Sequence, residues 1–353
     1  MLSSEMLWWN QVAGPSRYLQ DALEAILEGG TTFINETAYM EHFFMQINDK
    51  LLHKNSSLQI DIYDASEFII YENIEDTLIH KYVAEYNHHP MDGSLIKAIA
   101  EKNLLSGRIL IIRNIEEDER WINLGIEFSK YCSFNSGAIL FTYNDKKPLL
   151  KSHRQVSVFD LVDYITIYDM QLFASYCIAD QSSLSFMMKN YITQIISRVS
   201  GNDPEICKEL ALMQIGENAL GILNHFAENN SKIRKMLKSV KNIEDILWEA
   251  QIQTVFPIIE QERKRIIESY YDELVNLLPV TDEFGKKIYF PQDMELRHIR
   301  YYYLKATGGL SKEDDEIFQL IYSSRNDLAH LKILEGQVLQ RIFALKSFTT
   351  MKG

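Results

Sequence analysis

Five short runs rich in Ile, Phe, Tyr and Thr punctuate the first half of the chain, and after about residue 170 such runs stop; this switch constrains the fold more than any other feature. The runs are Thr31 to Asn35 (TTFIN), Leu58 to Tyr63 (LQIDIY), Arg108 to Arg113 (RILIIR), Gly137 to Tyr143 (GAILFTY) and Tyr164 to Tyr168 (YITIY). β-Branched and aromatic residues in runs of this length favour strands, and the helix-period segments between them predict a mostly parallel sheet covered by helices. RILII and AILF are apolar throughout, as in central strands buried on both faces, whereas LQIDIY alternates and reads as an edge strand. The pattern does not encode the order of the strands in space.

The helical signals fill in the rest. PSRYLQDALEAILEGG sets Leu19, Leu23, Ile26 and Leu27 on one face between Pro15 and Gly29-Gly30, a complete helix that feeds the first strand. With no further strand signal, a domain boundary is expected between Asp169 and Ser183, followed by an all-α half. There, Asp203 and Pro204 open a helix with a core stripe of Leu212, Ile215, Ala219, Ile222, Leu223 and Phe226. The stretch from Ile243 to Leu278 is predicted to kink or break near Pro257, which lacks a backbone donor, so that two helices are expected rather than one. A turn-rich segment, TDEFGKKIYFPQD, precedes a last unit in which Ser311 and Asp314 form a capping-box-like helix start. The expected divisions are 1–175 (α/β), 176–284 (helical) and 285–353 (a final helical module).

Charge narrows the function classes. Across 353 residues, 36 Lys+Arg against 49 Asp+Glu give −13, so any contact with a polyanion must use a local basic patch. SKIRKMLKSVK supplies one, with Lys232, Arg234, Lys235, Lys238 and Lys241 opposite an apolar stripe of Ile233, Leu237 and Val240. These are the candidate RNA- or phosphate-binding residues, with Arg263, Lys264 and Arg265 as a smaller cluster; a solvated helix face accounts for the same pattern. Tyr301, Tyr302 and Tyr303 are suited to stacking on bases, although three consecutive positions point around a helix and one of them should enter the core. Of the adjacent Trp8 and Trp9, one is expected in the core and the other at a surface or partner.

Other chemistries lack a pattern. Cys132, Cys177 and Cys207 contain no C-x-x-C pair, which argues against a disulfide framework or zinc knuckle. His80, His88, His89 and Asp92 are metal-ligating residue types without metal-site spacing, so no metal and no cofactor are expected. No apolar run approaches the ~18 residues of a membrane span, and the first ten residues lack the features of a signal peptide. A cytoplasmic protein is expected.

The layout of residues 15–200 resembles P-loop NTPases of the AAA+ and related signalling classes, with RILIIRNIEEDE where their second motif sits and AILFTYN at a sensor strand. The resemblance implies a phosphate-binding loop after the first strand. Here that turn reads Ile34-Asn35-Glu36-Thr37-Ala38, with no glycine and no Gly-Lys-Ser/Thr, and Glu36 would repel a triphosphate. Arg113 and Asn114 stand where the family places a Mg²⁺-binding acid; Glu116, Glu117, Asp118 and Glu119 follow and read as a helix N-terminal turn. The domain is expected to be a degenerate NTPase-like scaffold that does not hydrolyse ATP.

The strongest chemical signal is SSRNDLAHL, in which Arg325, Asn326 and His330 match the R-x4-6-H motif of HEPN domains. The resemblance spans roughly residues 285–345 and implies an all-α bundle whose catalytic members cleave RNA without metal. It assigns His330 as general acid or base on the ribose 2′-hydroxyl, Arg325 as phosphate stabiliser and Asn326 as an orienting residue. The residue types suit those roles, since imidazole exchanges protons near neutral pH and guanidinium steadies phosphate charge. Five positions apart on an ideal helix, Arg325 and His330 lie about 140° from each other, an offset that a helix end or a composite dimer cleft resolves. HEPN-like bundles that only associate carry the same residues, hydrogen-bonded across helix ends. Two readings stand: an endoribonuclease effector or toxin of a bacterial antiphage defence system, working as a homodimer or larger complex with other subunits, or a non-catalytic interaction subunit of such a complex.

Overall fold

The computed structural model describes residues 3–67, 75, 93–115, 119–133, 137–144, 155–216, 218–231, 233–234, 242–305 and 309–345. The chain divides into two compact units, Met1–Phe173 with Asn202–Glu205, and Ala174–Gly201 with Ile206–Gly353. Residues 284 and 285, an expected division, both fall in the second unit.

The first unit is a five-stranded parallel sheet flanked by helices. In chain order it contains α1 (Ser4–Gln11), α2 (Ala13–Glu28), β1 (Gly30–Asn35), α3 (Met40–Lys54), β2 (Gln59–Asp64), α4 (Leu95–Glu101), β3 (Arg108–Arg113), α5 (Glu119–Tyr131), β4 (Ala138–Tyr143) and β5 (Val156–Phe159). The strands lie in the order β2-β3-β4-β1-β5, with the alternating β2 at an edge and the apolar β3 and β4 inside. Side chains alternate across the pleat, so Thr31 and Phe33 of β1 face α5. At their contact Gly125 is required: a Cβ there would lie 2.8 Å from the Thr31 Cγ2 and 2.9 Å from the Phe141 ring. The core on this side includes Phe33, Leu110, Ile112, Trp121, Phe128, Ile139 and Phe141.

Two expectations for this unit are corrected. YITIY is not a strand: Thr166 and Asp169 cap one another across the start of α6 (Ile167–Ile178), with the Asp169 N–H donating to Thr166 Oγ1 and the Thr166 hydroxyl to Asp169 Oδ2 at 2.7 Å. This capping box outweighs the β-propensity of the run, and the fifth strand is the four-residue β5 just before it. Trp8 and Trp9 are both buried, neither reaching solvent. Trp8 packs edge-on against Phe173 at 5.1 Å, while Trp9 packs on Phe43 at 5.1 Å and donates to the Tyr39 carbonyl at 3.0 Å. Only Val12 separates α1 from α2, which presses both indoles inward.

Among the described residues, the second unit is helical apart from a two-stranded hairpin at Val280–Thr281 and Lys287–Ile288. Its helices are α7 (Phe186–Val199), α8 (Pro204–Ala211), α9 (Ala219–Asn229), α10 (Ile243–Ser269), α11 (Tyr271–Leu277), α12 (Lys312–Ala329) and α13 (Gly336–Phe343), with a π-helical turn at Ile299–Leu304. The central α10 packs on α7, α9, α12 and α13. The helix expected from Asp203 is two: α8 ends at Ala211, Leu212 is 77% exposed rather than in the core, and Asn218 restarts the helix by accepting from the Gly221 N–H. Nor does α10 break at Pro257, which lies on an exposed side where water can serve the carbonyl that loses its donor. The break falls at Tyr270, whose hydroxyl donates to Asp314 at 2.8 Å and accepts from the Ser311 N–H at 2.9 Å.

Ser311 caps α12, accepting from the Asp314 N–H at 3.2 Å. Ser311→Ala is therefore expected to cost about 1 kcal/mol, read as a lower urea midpoint at unchanged slope.

Deeper in this unit, the buried Gln251 accepts from the Leu334 N–H at 2.6 Å and donates to the Leu334 carbonyl and the Tyr191 hydroxyl. Burial pushes the Tyr191 hydroxyl from 10.0 up to about 12, against a smaller opposing effect of the Gln251 bond. Folding favours the neutral phenol, so this contribution is complete below pH 10 and is lost as pH rises from 10 through about 12. Tyr191→Phe should consequently lose less stability than the wild type between pH ~9 and ~11, measured by urea unfolding.

No helix among the described residues is long and apolar enough to cross a membrane.

Candidate functional site

Two places bear on function, one in each unit. In the first, the carboxyl ends of β1, β3 and β4 converge, the edge at which open parallel sheets commonly bind ligands. Glu36, one residue past β1, accepts from Arg113 Nε at 3.1 Å and from Thr142 Oγ1 at 2.6 Å, and its own N–H donates to the Tyr143 carbonyl at 2.7 Å. Arg113 reaches on to Glu41 at 2.6 Å and lies over the Phe44 ring. Burial opposes its charge, and the carboxylates of Glu41 and Glu36 more than offset that, holding the guanidinium charged. Beside it, Asn114 adopts a left-handed φ of 56° and donates to Asp64 at 2.6 Å. The hydroxyl and N–H of Ser66, helped by Asn114 and Arg113, hold the Asp64 carboxyl below its ordinary range. The strand ends are thus closed by an acid-base network of the chain's own. Of the acid run that follows, Glu119 opens α5, and Glu116, Glu117 and Asp118 lie outside the described residues.

The second place is the end of α12. Ser324 and Leu328 face the core, and the Trp248 indole donates to the Leu328 carbonyl at 2.8 Å. Arg325 and His330 are exposed, and Asn326 is half-buried. Arg325 and Asn326 lie in the C-terminal part of α12, His330 is its C-cap, and α13 begins only at Gly336. The helix is terminated by Leu331 at φ 60°, with Leu331 N–H donating to the Leu328 carbonyl and Lys332 N–H to the Asp327 carbonyl, the paired bonds of a Schellman motif. A leucine in the left-handed region costs on the order of 1 kcal/mol and fixes His330 at the helix end. Among the described residues, neither Arg325 nor His330 makes a side-chain hydrogen bond or ion pair.

Tyr322 lies one turn before Asn326 on α12. The neighbouring Arg300 lowers the Tyr322 hydroxyl from its ordinary value against an opposing effect of burial, with Asn326 and Arg325 adding to the lowering. The Arg300 guanidinium lies 4.6 Å over the Tyr322 ring. Sequence reasoning missed Arg300 and Tyr322; the visible signal was RHIRYYYL, whose arginines and tyrosines alternate around a turn that only the packing defines.

The basic patches fare differently. Lys232, Lys235, Lys238 and Lys241 lie outside the described residues, as do His80, His88, His89 and Asp92. Arg234 is exposed and contacts the Ala227 carbonyl, and Ile233 is buried beside it. Arg263, Lys264 and Arg265 are paired with Glu260, Glu268, and Glu262 with Asp314, which makes that cluster part of the scaffold. The three cysteines are free thiols. No group of three or more His, Cys, Asp or Glu side chains among the described residues is placed to hold a metal.

No model of a protein family matches the chain, and no curated protein is similar to it. Among solved structures it is similar to a chain of "Structure of Drosophila ORC bound to DNA", at 11% identity over 94% of this chain and 95% of that one, with a TM-score of 0.36.

Proposed function

We propose that the chain is a HEPN-like, metal-independent endoribonuclease effector of a bacterial antiphage defence system, acting in the cytoplasm. The observation that carries this reading is the end of α12, where Arg325 and His330 are both exposed and untied among the described residues. His330, the C-cap, still donates its N–H to the Asn326 carbonyl at 3.0 Å, so it keeps the offset of about 140° from Arg325, and a second chain would be needed to bring the two side chain types to one phosphate. His330 would exchange the proton of the ribose 2′-hydroxyl, Arg325 would steady the phosphate, and Asn326 would orient them. A homodimer would set two such ends across one RNA strand.

The front unit would serve as a docking platform within a complex of defence-system subunits. Its Glu36–Arg113 network favours the second reading as well, a non-catalytic interaction subunit, because side chains that could have met phosphate are committed to one another.

The two readings part in one experiment. Expression of the wild type beside Arg325→Ala and His330→Ala is expected to give growth arrest and RNA fragmentation with the wild type alone. Intact RNA and equal growth in all three, with partners co-expressed, would leave the interaction subunit.

A further inference from the structure

Next to the motif helix the second unit holds a cavity of about 610 Å³, within the size range of small-ligand sites. The π-helical turn at Ile299–Leu304 shapes its wall, and π turns recur at functional sites because the extra residue redirects side chains. Tyr303 goes to the core against Tyr270, whereas Tyr301, 58% exposed, and Tyr302 meet edge-on at the cavity with their centroids 4.9 Å apart. Tyr322, from α12, completes the aromatic lining.

The charge of the cavity is positive despite two acids at its edge. Asp282 is engaged by the N–H groups of Phe284 and Lys286, and Glu283 pairs with Arg297. Arg300 and Lys305 have aromatic faces beneath them, Tyr322 and Tyr301, and no carboxylate partner among the described residues.

His298 is a buried part of the wall. It is only 7% exposed, its Nδ1 accepts the Glu295 N–H at 3.1 Å, and its Nε2 is closed to solvent. Recognition therefore falls to Arg300 and Lys305, two cations that line the same cavity as Tyr301, and phosphate suits them best.

We infer that this cavity holds one nucleotide unit, its phosphate on Arg300 and Lys305 and its base stacked on Tyr301. The inference rests on the ribonuclease reading for its purpose, as a substrate subsite that shares α12 with the motif through Tyr322, but the binding itself needs only the cavity. The unit is either a free nucleotide or one residue of a single-stranded RNA.

The test uses the full chain carrying His330→Ala and follows the anisotropy of a short fluorescein-labelled single-stranded RNA, with AMP as competitor. Arg300→Glu and Lys305→Glu are each expected to weaken binding about tenfold, and Tyr301→Ala about as much. Lys305 and Tyr301 are exposed, so their variants keep the fold, which a thermal melt checks. Displacement by AMP assigns a free nucleotide as sufficient; variant-sensitive RNA binding without displacement assigns the strand. No RNA or AMP binding, or RNA binding that both charge reversals leave within about twofold, overturns the inference. A phosphorylated peptide that binds through these residues where RNA does not overturns it too. RNA binding without cleavage by the wild type removes the nuclease reading and leaves this one standing; cleavage with variant-insensitive binding does the reverse.

Discussion

Arg113→Ala is expected to destabilise the sheet unit by about 2–3 kcal/mol, the largest stability effect of any single polar substitution proposed for it. The Glu36 side chain is 13% exposed and that of Arg113 24%, so removing the guanidinium leaves a largely desolvated carboxylate with Thr142 as its remaining side-chain donor. Breaking a fully buried pair costs about 3–5 kcal/mol; partial solvent access at Arg113 and the exposed Glu41 lower that figure here. Adding Glu36→Gln to Arg113→Ala removes the orphaned charge, and the double variant should regain about 1 kcal/mol or more relative to Arg113→Ala. Urea unfolding of the four proteins of the cycle measures this. A loss below about 0.5 kcal/mol for Arg113→Ala, or no recovery in the double variant, would mean that the network is a surface ion pair of little consequence.

The same network explains which parts of the front unit could be read in the sequence. RILIIR runs from Arg108 to Arg113 both as a pattern and as a strand, because four apolar residues between two arginines admit little choice of end. The pairing of Glu36 with Arg113 could not be read, since 77 positions separate them and only the parallel register of β1, β4 and β3 brings them together. YITIY was misread for the opposite reason: a local signal, Thr166 with Asp169 three residues on, competed with β-propensity and won. The helix at Asp203 was drawn too long because a spacing of three and four carries across a break when the restart is itself capped, as Asn218 does for α9.

The helical unit divides along the same line. Arg325, Asn326 and His330 are legible because their spacing is local, and their exposure follows from Ser324 and Leu328 taking the core face. His298, Arg300, Lys305 and Tyr322 are not, because a π turn shifts the helical register by one residue and the turn must dock on α12 before these groups share a cavity. Consecutive tyrosines correctly implied that one of three is core, and the structure puts Tyr303 there.

His330→Ala should lower the single-turnover rate of RNA cleavage by about 10²–10⁴-fold, the range for losing a general acid or base. Arg325→Ala should cost about 10²–10³-fold, as for one donor to a developing oxyanion. The pair is expected to act as a unit, so the double variant should be little slower than His330→Ala alone; multiplicative losses would mean that the two residues serve separate steps. Both side chains are exposed and make no hydrogen bond or ion pair among the described residues, so the melting temperature of each variant should match the wild type. Affinity for RNA separates the roles further: loss of His330 should leave it unchanged, whereas loss of Arg325 removes a phosphate contact, weakens binding and makes its salt dependence shallower by about one unit of slope. A chelator should leave the wild-type rate unaltered, because neither proton exchange by imidazole nor charge stabilisation by guanidinium draws on a metal. Cleavage that survives His330→Ala at the wild-type rate would assign the activity to a different protein in the preparation, and the exposed end of α12 would then be a docking surface.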